Sequence, residues 1–133
     1  MICFELYAAS RAMTGLYRPE LDAAGITYPQ YVALRVIWQR GRITVRDLGT
    51  ILHLDSGTLS PLLKRLETQG LIHRERGTDD ERVVWITSTT QGSELQQRVA
   101  DLPQRLACAL DLNTEEFTTL HTLLGRIRSA RAI

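Results

Sequence analysis

Between Thr44 and Ile86 the chain reads TVRDLGTILHLDSGTLSPLLKRLETQGLIHRERGTDDERVVWI, and this stretch leaves few folds open. It predicts two short amphipathic helices joined by a tight turn, followed at once by a hairpin. Thr44 caps the first helix, with Asp47 three residues on as the second half of a capping box. Val45, Leu48 and Leu52 then share one face. Asp55 or Ser56 caps the second helix, whose apolar stripe is Leu59, Leu62, Leu63 and Leu66. The opposite face carries Thr58, Pro61, Arg65 and Thr68, with Ser56, Ser60 and Lys64 at its margins. Short polar side chains at the helix N-terminus and cations further on suit a major groove: backbone and phosphate approach closely, and Lys or Arg reaches a guanine edge. Leu71 to Arg76 and Arg82 to Thr87 read as strands about a Gly77-Thr78-Asp79-Asp80 turn, and Arg74, Arg76 and Arg82 decorate them. Helix, turn, helix and basic wing, in that order, predict a module that binds double-stranded DNA.

The totals neither add to this nor oppose it. A formal net charge of +1 over 133 residues is no nucleic-acid signature, so the case rests on where the basic residues fall. Hydrophobic residues make up 44%, enough for a core in a single domain. No apolar run approaches a membrane span of about 20 residues, and residues 1–10 do not form a signal peptide, so no membrane partner and a cytoplasmic location are expected. Cys3 and Cys108 form no disulfide framework, and His53, His73 and His121 lack zinc spacing, so neither metal nor cofactor is expected. No P-loop, dinucleotide-binding or hydrolase motif occurs, and no enzyme is expected.

The flanks predict helices. Residues 2–18 carry a stripe of Ile2, Leu6, Ala9, Met13 and Leu16, which Pro19 bends or ends. Thr27 with Gln30 caps a helix that is apolar nearly all round (Tyr31, Leu34, Val36, Ile37, Trp38), and Gly41 stops it. Residues 42–44 form a short strand at the edge of the wing. Ser88 to Leu112 reads as one long helix with a stripe of Leu95, Val99, Leu102, Leu106 and Leu110, kinked at Pro103. Asn113 with Glu116 caps a last helix, striped by Phe117, Leu120, Leu124 and Ile127. These apolar terminal helices have little to cover in one small monomer, so they are expected to pair with a second copy. The reading is a mainly α fold with a small β-wing: one domain over 1–133, a winged helix-turn-helix at 44–87, and dimerisation parts at 1–40 and 88–133. A homodimer would place its two recognition helices on a pseudo-palindromic operator with half-sites about 10 base pairs apart or somewhat more.

Several stretches together resemble the MarR family of winged-helix repressors: Ile26-Thr27-Tyr28-Pro29-Gln30-Tyr31, LDSGTLSPLLKRLE at 54–67, Gly70-Leu71 and DDERVV at 79–84. With CFELYAASRAMT at 3–14, the likeness narrows to the organic-hydroperoxide-sensing, OhrR-like branch of two-cysteine type. The resemblance implies a repressor that holds its operator while reduced and takes an organic hydroperoxide as inducer. Cys3 matches the family's sensing cysteine. Tyr17 and Tyr28 match tyrosines set against that sulfur across the dimer interface, and Tyr7 matches a third. Cys108 matches a resolving cysteine of the other subunit, and Arg82 matches a wing arginine that enters the minor groove. Family members carry residues ahead of the sensing cysteine, so either an upstream start or a frayed first turn is expected here.

The chemistry agrees from below. A sensing thiol must be stabilised as thiolate, which phenol O–H donors can do, and its first product, Cys–SOH, condenses with a nearby thiol. Ile2, Phe4 and Leu6 would favour organic peroxides. Without the resemblance, Cys3 and Cys108 read as inert core thiols and the tyrosines as core residues. Two alternatives stand beside the redox reading: a MarR-type regulator of a small phenolic ligand without redox chemistry, and a thiol peroxidase with Cys3 as nucleophile.

Overall fold

A computed structural model describes residues 1–131. It forms two compact units, Met1–Ala100 and Asp101–Ile133, the latter described as far as Arg131. In the first unit α1 runs from Ile2 to Ala24, past the bend or end expected at Pro19. The proline removes one helical N–H, but the turn beyond it buries Leu21, and the stop is Gly25 in the left-handed region at φ 72°. The first turn of α1 is formed, with the Glu5 N–H donating to the Met1 carbonyl at 3.2 Å.

Helix α2, Tyr28–Arg40, is the hub. Thr27 and Gln30 make the expected reciprocal capping box. Tyr31, Ala33, Leu34 and Ile37 are buried, and α2 touches nearly every other element of this unit, which is why its sequence is apolar nearly all round. Burial contributes roughly 1.5–3 kcal/mol for each large aliphatic side chain. Helix α3 (Val45–Leu52) and helix α4 (Ser56–Thr68) follow. Thr44 accepts from the Asp47 N–H at 3.1 Å, but the return half of that box is absent, because an aspartate is one methylene short of the glutamate that spans it. Of the two candidates for the α4 cap, Asp55 serves, accepting from the Thr58 N–H at 2.8 Å. Leu59, Leu62, Leu63 and Leu66 are buried as the stripe predicts.

Three antiparallel strands, β1 (Arg42–Thr44), β2 (Ile72–Arg76) and β3 (Val84–Ser88), form a sheet in the order β1-β3-β2. Ile43 and Arg74 both pair with Ile86, whose side chain is buried. At the wing tip the Gly77 N–H donates to the Val83 carbonyl at 2.7 Å. Helix α5, Thr90–Arg98, is capped by Thr89 and docks through Gly92. A Cβ at Gly92 would collide with the Leu71 carbonyl and the Ser88 hydroxyl, so only glycine fits this approach.

The single kinked helix expected over Ser88 to Leu112 is instead two. Helix α5 ends at Arg98, and α6 runs from Leu102 to Ala109 in the second unit. Pro103 lies in the first turn of α6, where its missing N–H has no intrahelical partner to lose. It therefore opens a helix rather than bending one. Leu110 falls outside α6 as its C-cap. Helix α7, Thr114–Arg128, has the Asn113–Glu116 capping box and no buried residue. Its stripe of Phe117, Leu120, Leu124 and Ile127 is 38–48% exposed in the single chain.

Candidate DNA interface and sensor site

The outer face of α4 follows from its inner one. With four leucines seated in the core, Ser56, Thr58, Ser60, Lys64 and Arg65 are left exposed together. The Asp55 carboxylate is held below its ordinary range by the Thr58 backbone N–H, then by the Thr58 side chain. It stays ionised at neutral pH and fixes the first turn. A cleft of about 1090 Å³ opens between α3, the start of α4 and the wing, rimmed by Arg46, His53, Ser56, Asp80 and Arg82.

The three wing arginines differ. Arg82 is 91% exposed at its side chain and makes a forked pair with Asp80: Nε to Oδ1 at 3.1 Å and Nη2 to Oδ2 at 3.2 Å. These bonds hold the Asp80 carboxyl low. With Arg82 in solvent and Asp80 itself 43% exposed, the pair is weak, so it orients the guanidinium and yields easily to a phosphate or groove edge. Arg76 is exposed and donates to the Glu81 carbonyl at 3.1 Å. Arg74, expected beside them, is half-buried and turned inward. Its guanidinium meets Glu67 Oε1 at 3.1 Å while its backbone N–H donates to Glu67 Oε2 at 3.0 Å. It clamps β2 to the last turn of α4. The sequence reading missed Asp80 and Glu67; the Asp80-x-Arg82 spacing is a signal for the first, and nothing local marks the second.

Both cysteines are exposed, not the core thiols that their apolar neighbours imply. Cys3 lies in the first turn of α1, and Tyr7, one turn further, shares its face. The Arg11 guanidinium covers the Tyr7 ring at 5.6 Å from its centroid. Tyr17 is 14 residues on, about 21 Å along the helix, beyond reach of Cys3 in the same chain. It stands instead in a phenol cluster, with ring centroids 5.1 Å from Tyr28 and 5.4 Å from Tyr31. Tyr31 was read only as a core residue of α2; its Tyr28-x-x-Tyr31 spacing is the signal that groups it here. Burial raises the Tyr17 phenol's pKa, the Tyr28 phenol adds to this, and Arg35 opposes it. Burial likewise raises Tyr31. Both stay protonated at neutral pH, as hydrogen-bond donors must. Cys108 lies in α6, in the second unit. Among the described residues no cluster of His, Cys, Asp and Glu could hold a metal, and no helix is long and apolar enough to cross a membrane.

Comparison with known proteins supplies the family. The MarR family model matches residues 26–84. The chain is 52% identical over 102 residues to the organic hydroperoxide resistance transcriptional regulator of Bacillus subtilis (strain 168), a match spanning 77% of this chain and 69% of that protein. Reduced AbfR bound to DNA is 35% identical, with a TM-score of 0.79 over 95% of this chain and 87% of that one. Overoxidized AbfR bound to DNA is also 35% identical, with a TM-score of 0.81 over 96% and 90%. The winged module, the exposed face of α4 and these likenesses agree: the chain belongs to the MarR family, and at that level it is a DNA-binding transcriptional regulator.

Proposed function

We propose that this regulator is a thiol-based sensor of organic hydroperoxides, a homodimeric repressor that holds a pseudo-palindromic operator when reduced. The observation that carries the reading is the 52% identity to a hydroperoxide resistance regulator in a chain whose Cys3 is exposed. The phenol cluster supports it. Tyr17 is too far from its own Cys3, so the cluster serves a Cys3 sulfur only if a second copy brings one. The exposed stripe of α7 and, separately, the exposed Ile2, Phe4 and Leu16 of α1 are apolar surfaces that such a copy would cover.

The chemistry runs in two balanced steps. The Cys3 thiolate attacks the O–O bond of the hydroperoxide; the sulfur takes one oxygen as Cys–SOH, and the alkoxide leaves and takes up a proton as the alcohol. The Cys108 thiol of the second copy then attacks that sulfur, a disulfide forms and water leaves. Disulfide geometry requires Cα atoms roughly 4.4–6.8 Å apart, so closure that moves a helix would pull the two wings out of register with the half-sites. Reduced and overoxidized AbfR both bind DNA. A cysteine oxidised beyond the sulfenic acid forms no disulfide, in keeping with the disulfide as the releasing event.

The test is a mobility-shift titration with and without cumene hydroperoxide, then with dithiothreitol. The native protein should lose its operator on treatment, run as a covalent dimer on a non-reducing gel, and recover with dithiothreitol. Cys3→Ser should bind DNA and ignore peroxide. Cys108→Ser should be oxidised without forming the covalent dimer. Release of DNA by peroxide from the Cys3→Ser protein would defeat the reading.

A further inference from the structure

The turn that ends α4 binds together the ends of three other helices. Gln69, its C-cap, uses both atoms of its amide. Nε2 donates to the carbonyl of Gly25, the C-cap of α1, at 2.8 Å. Oε1 accepts from Gln30 Nε2 at 3.4 Å. Gln30 is 5% exposed, and its own Oε1 is taken by the Thr27 N–H at 2.9 Å, which closes the cap of α2. The next residue, Gly70, has φ +77°, and its carbonyl accepts from the Thr89 hydroxyl at 2.5 Å. The Leu71 carbonyl takes the Thr89 N–H at 3.1 Å, and Thr89 caps α5.

The orientation of each amide is forced by the one before it. Thr27 can only donate its N–H, so Gln30 must present Oε1 to it and Nε2 to Gln69. Gln69 must then present Oε1 to Gln30 and Nε2 to the Gly25 carbonyl. Such a chain is directional and fails over small displacements, because hydrogen bonds weaken steeply with angle and length. One end lies at the first turn of α2, beside Tyr28 of the phenol cluster. The other is the Gly25 carbonyl that closes α1, and Gln69, between the two, caps the last turn of α4, the helix that presents Thr58 and Ser60. The Glu67–Arg74 clamp anchors that same turn to the wing. A shift of the first turn of α2, where Tyr28 stands, thus reaches the end of α4 through the side chains of Gln30 and Gln69.

We infer that Gln69 is a positioning residue that couples the tyrosine cluster to α4, the Gln30–Gln69–Gly25 relay carrying the sensor's state to the DNA-reading face. This rests on the reading of the chain as a peroxide-controlled regulator.

The test measures operator affinity by fluorescence anisotropy, and thermal midpoints, for wild type and Gln69→Ala, both reduced and after cumene hydroperoxide. Reduced Gln69→Ala should stay a tight binder, since Gln69 is not on the DNA face, while its loss of affinity on oxidation should shrink at least about fivefold, the low end of ordinary coupling. A strut that only stabilises would lower the midpoint and shift both states alike; that result overturns the relay. Gln69→Glu, which keeps the acceptor for Gln30 and loses the donor to Gly25, gives the same reading should Gln69→Ala fail to fold. A second arm needs no oxidant. Tyr17→Ala perturbs the cluster in the reduced protein, and its effect on operator affinity should depend on Gln69, departing from additivity by about fivefold or more. Additive effects overturn the relay. A wild type that keeps its operator after peroxide overturns the redox reading instead, and the additivity arm then decides the relay alone.

Discussion

Glu67 shows how one side chain links α4 to the wing. Hydrogen bonds from the Arg74 side chain, more than the charge itself, hold its carboxyl below the ordinary range. A carboxyl whose folded pKa is depressed contributes stability that is present above its unfolded value of about 4.3 and is lost as pH falls through the lower folded value. Glu67→Gln should therefore melt below wild type at neutral pH, and the gap should close as the solution is acidified through that window. Thermal midpoints from neutral to acid pH check this; a gap that does not change with pH would show that Arg74 gains nothing from the charge. The pair is partly exposed, with side-chain accessibilities of 27% and 38%, so a modest effect is expected.

At the scale of elements, α4 and the wing should fail differently. The exposed residues of α4 present hydroxyls suited to a base edge, whereas Arg82 presents a charge held only by the partly exposed Asp80 carboxylate. Thr58→Ala should change which bases are preferred, costing on the order of 1–3 kcal/mol at the affected position. Arg82→Ala should weaken binding across sequences with little change of preference, and should flatten the dependence of affinity on salt. Titrations of both variants against an operator series at several salt concentrations separate the two. An unchanged affinity for Arg82→Ala would remove the wing tip from the interface. Arg74→Ala should act by loosening the clamp on α4, with a fall in melting temperature that Arg82→Ala does not share.

For the whole molecule, the uncovered apolar surface sets the expectation. Phe117 and Leu120 are 48% and 39% exposed on a helix that buries no residue of its own. A chain that leaves such a stripe in water invites association. Leu120→Asp should shift the protein from dimer to monomer in sedimentation and remove tight operator binding, because two half-sites are then read by separate molecules. A Leu120→Asp protein that remains dimeric would place the shared surface elsewhere. The first unit should keep its secondary structure in this variant, since its core leucines and isoleucines lie on other elements.

The caps of α2 and α7, the leucine stripe of α4 and, to within two residues, the strands of the wing were legible in the linear order of residues, because each depends on near neighbours. The outer face of α4 was legible for the same reason, as the complement of its buried stripe. The Thr89 cap of α5 was not, since it falls inside the helix expected from Ser88. What required the tertiary structure is what joins distant positions or weighs burial against local preference. Helix α1 continues through Pro19 because Leu21 is buried beyond it. The helix expected around Pro103 divides because the proline is at ease in a first turn. Arg74 turns inward, unlike Arg76 and Arg82, because the fold brings β2 against Glu67. Cys3 and Tyr17 share a helix but are held about 21 Å apart by its rise, so only a second molecule could bring such groups together. Gln30 and Gln69, 39 positions apart, meet because the packing of α2 against α4 brings their ends into hydrogen-bonding distance. Periodicity specifies which face of an element turns inward; it carries no information about which element waits there, and that is settled when the faces pack together.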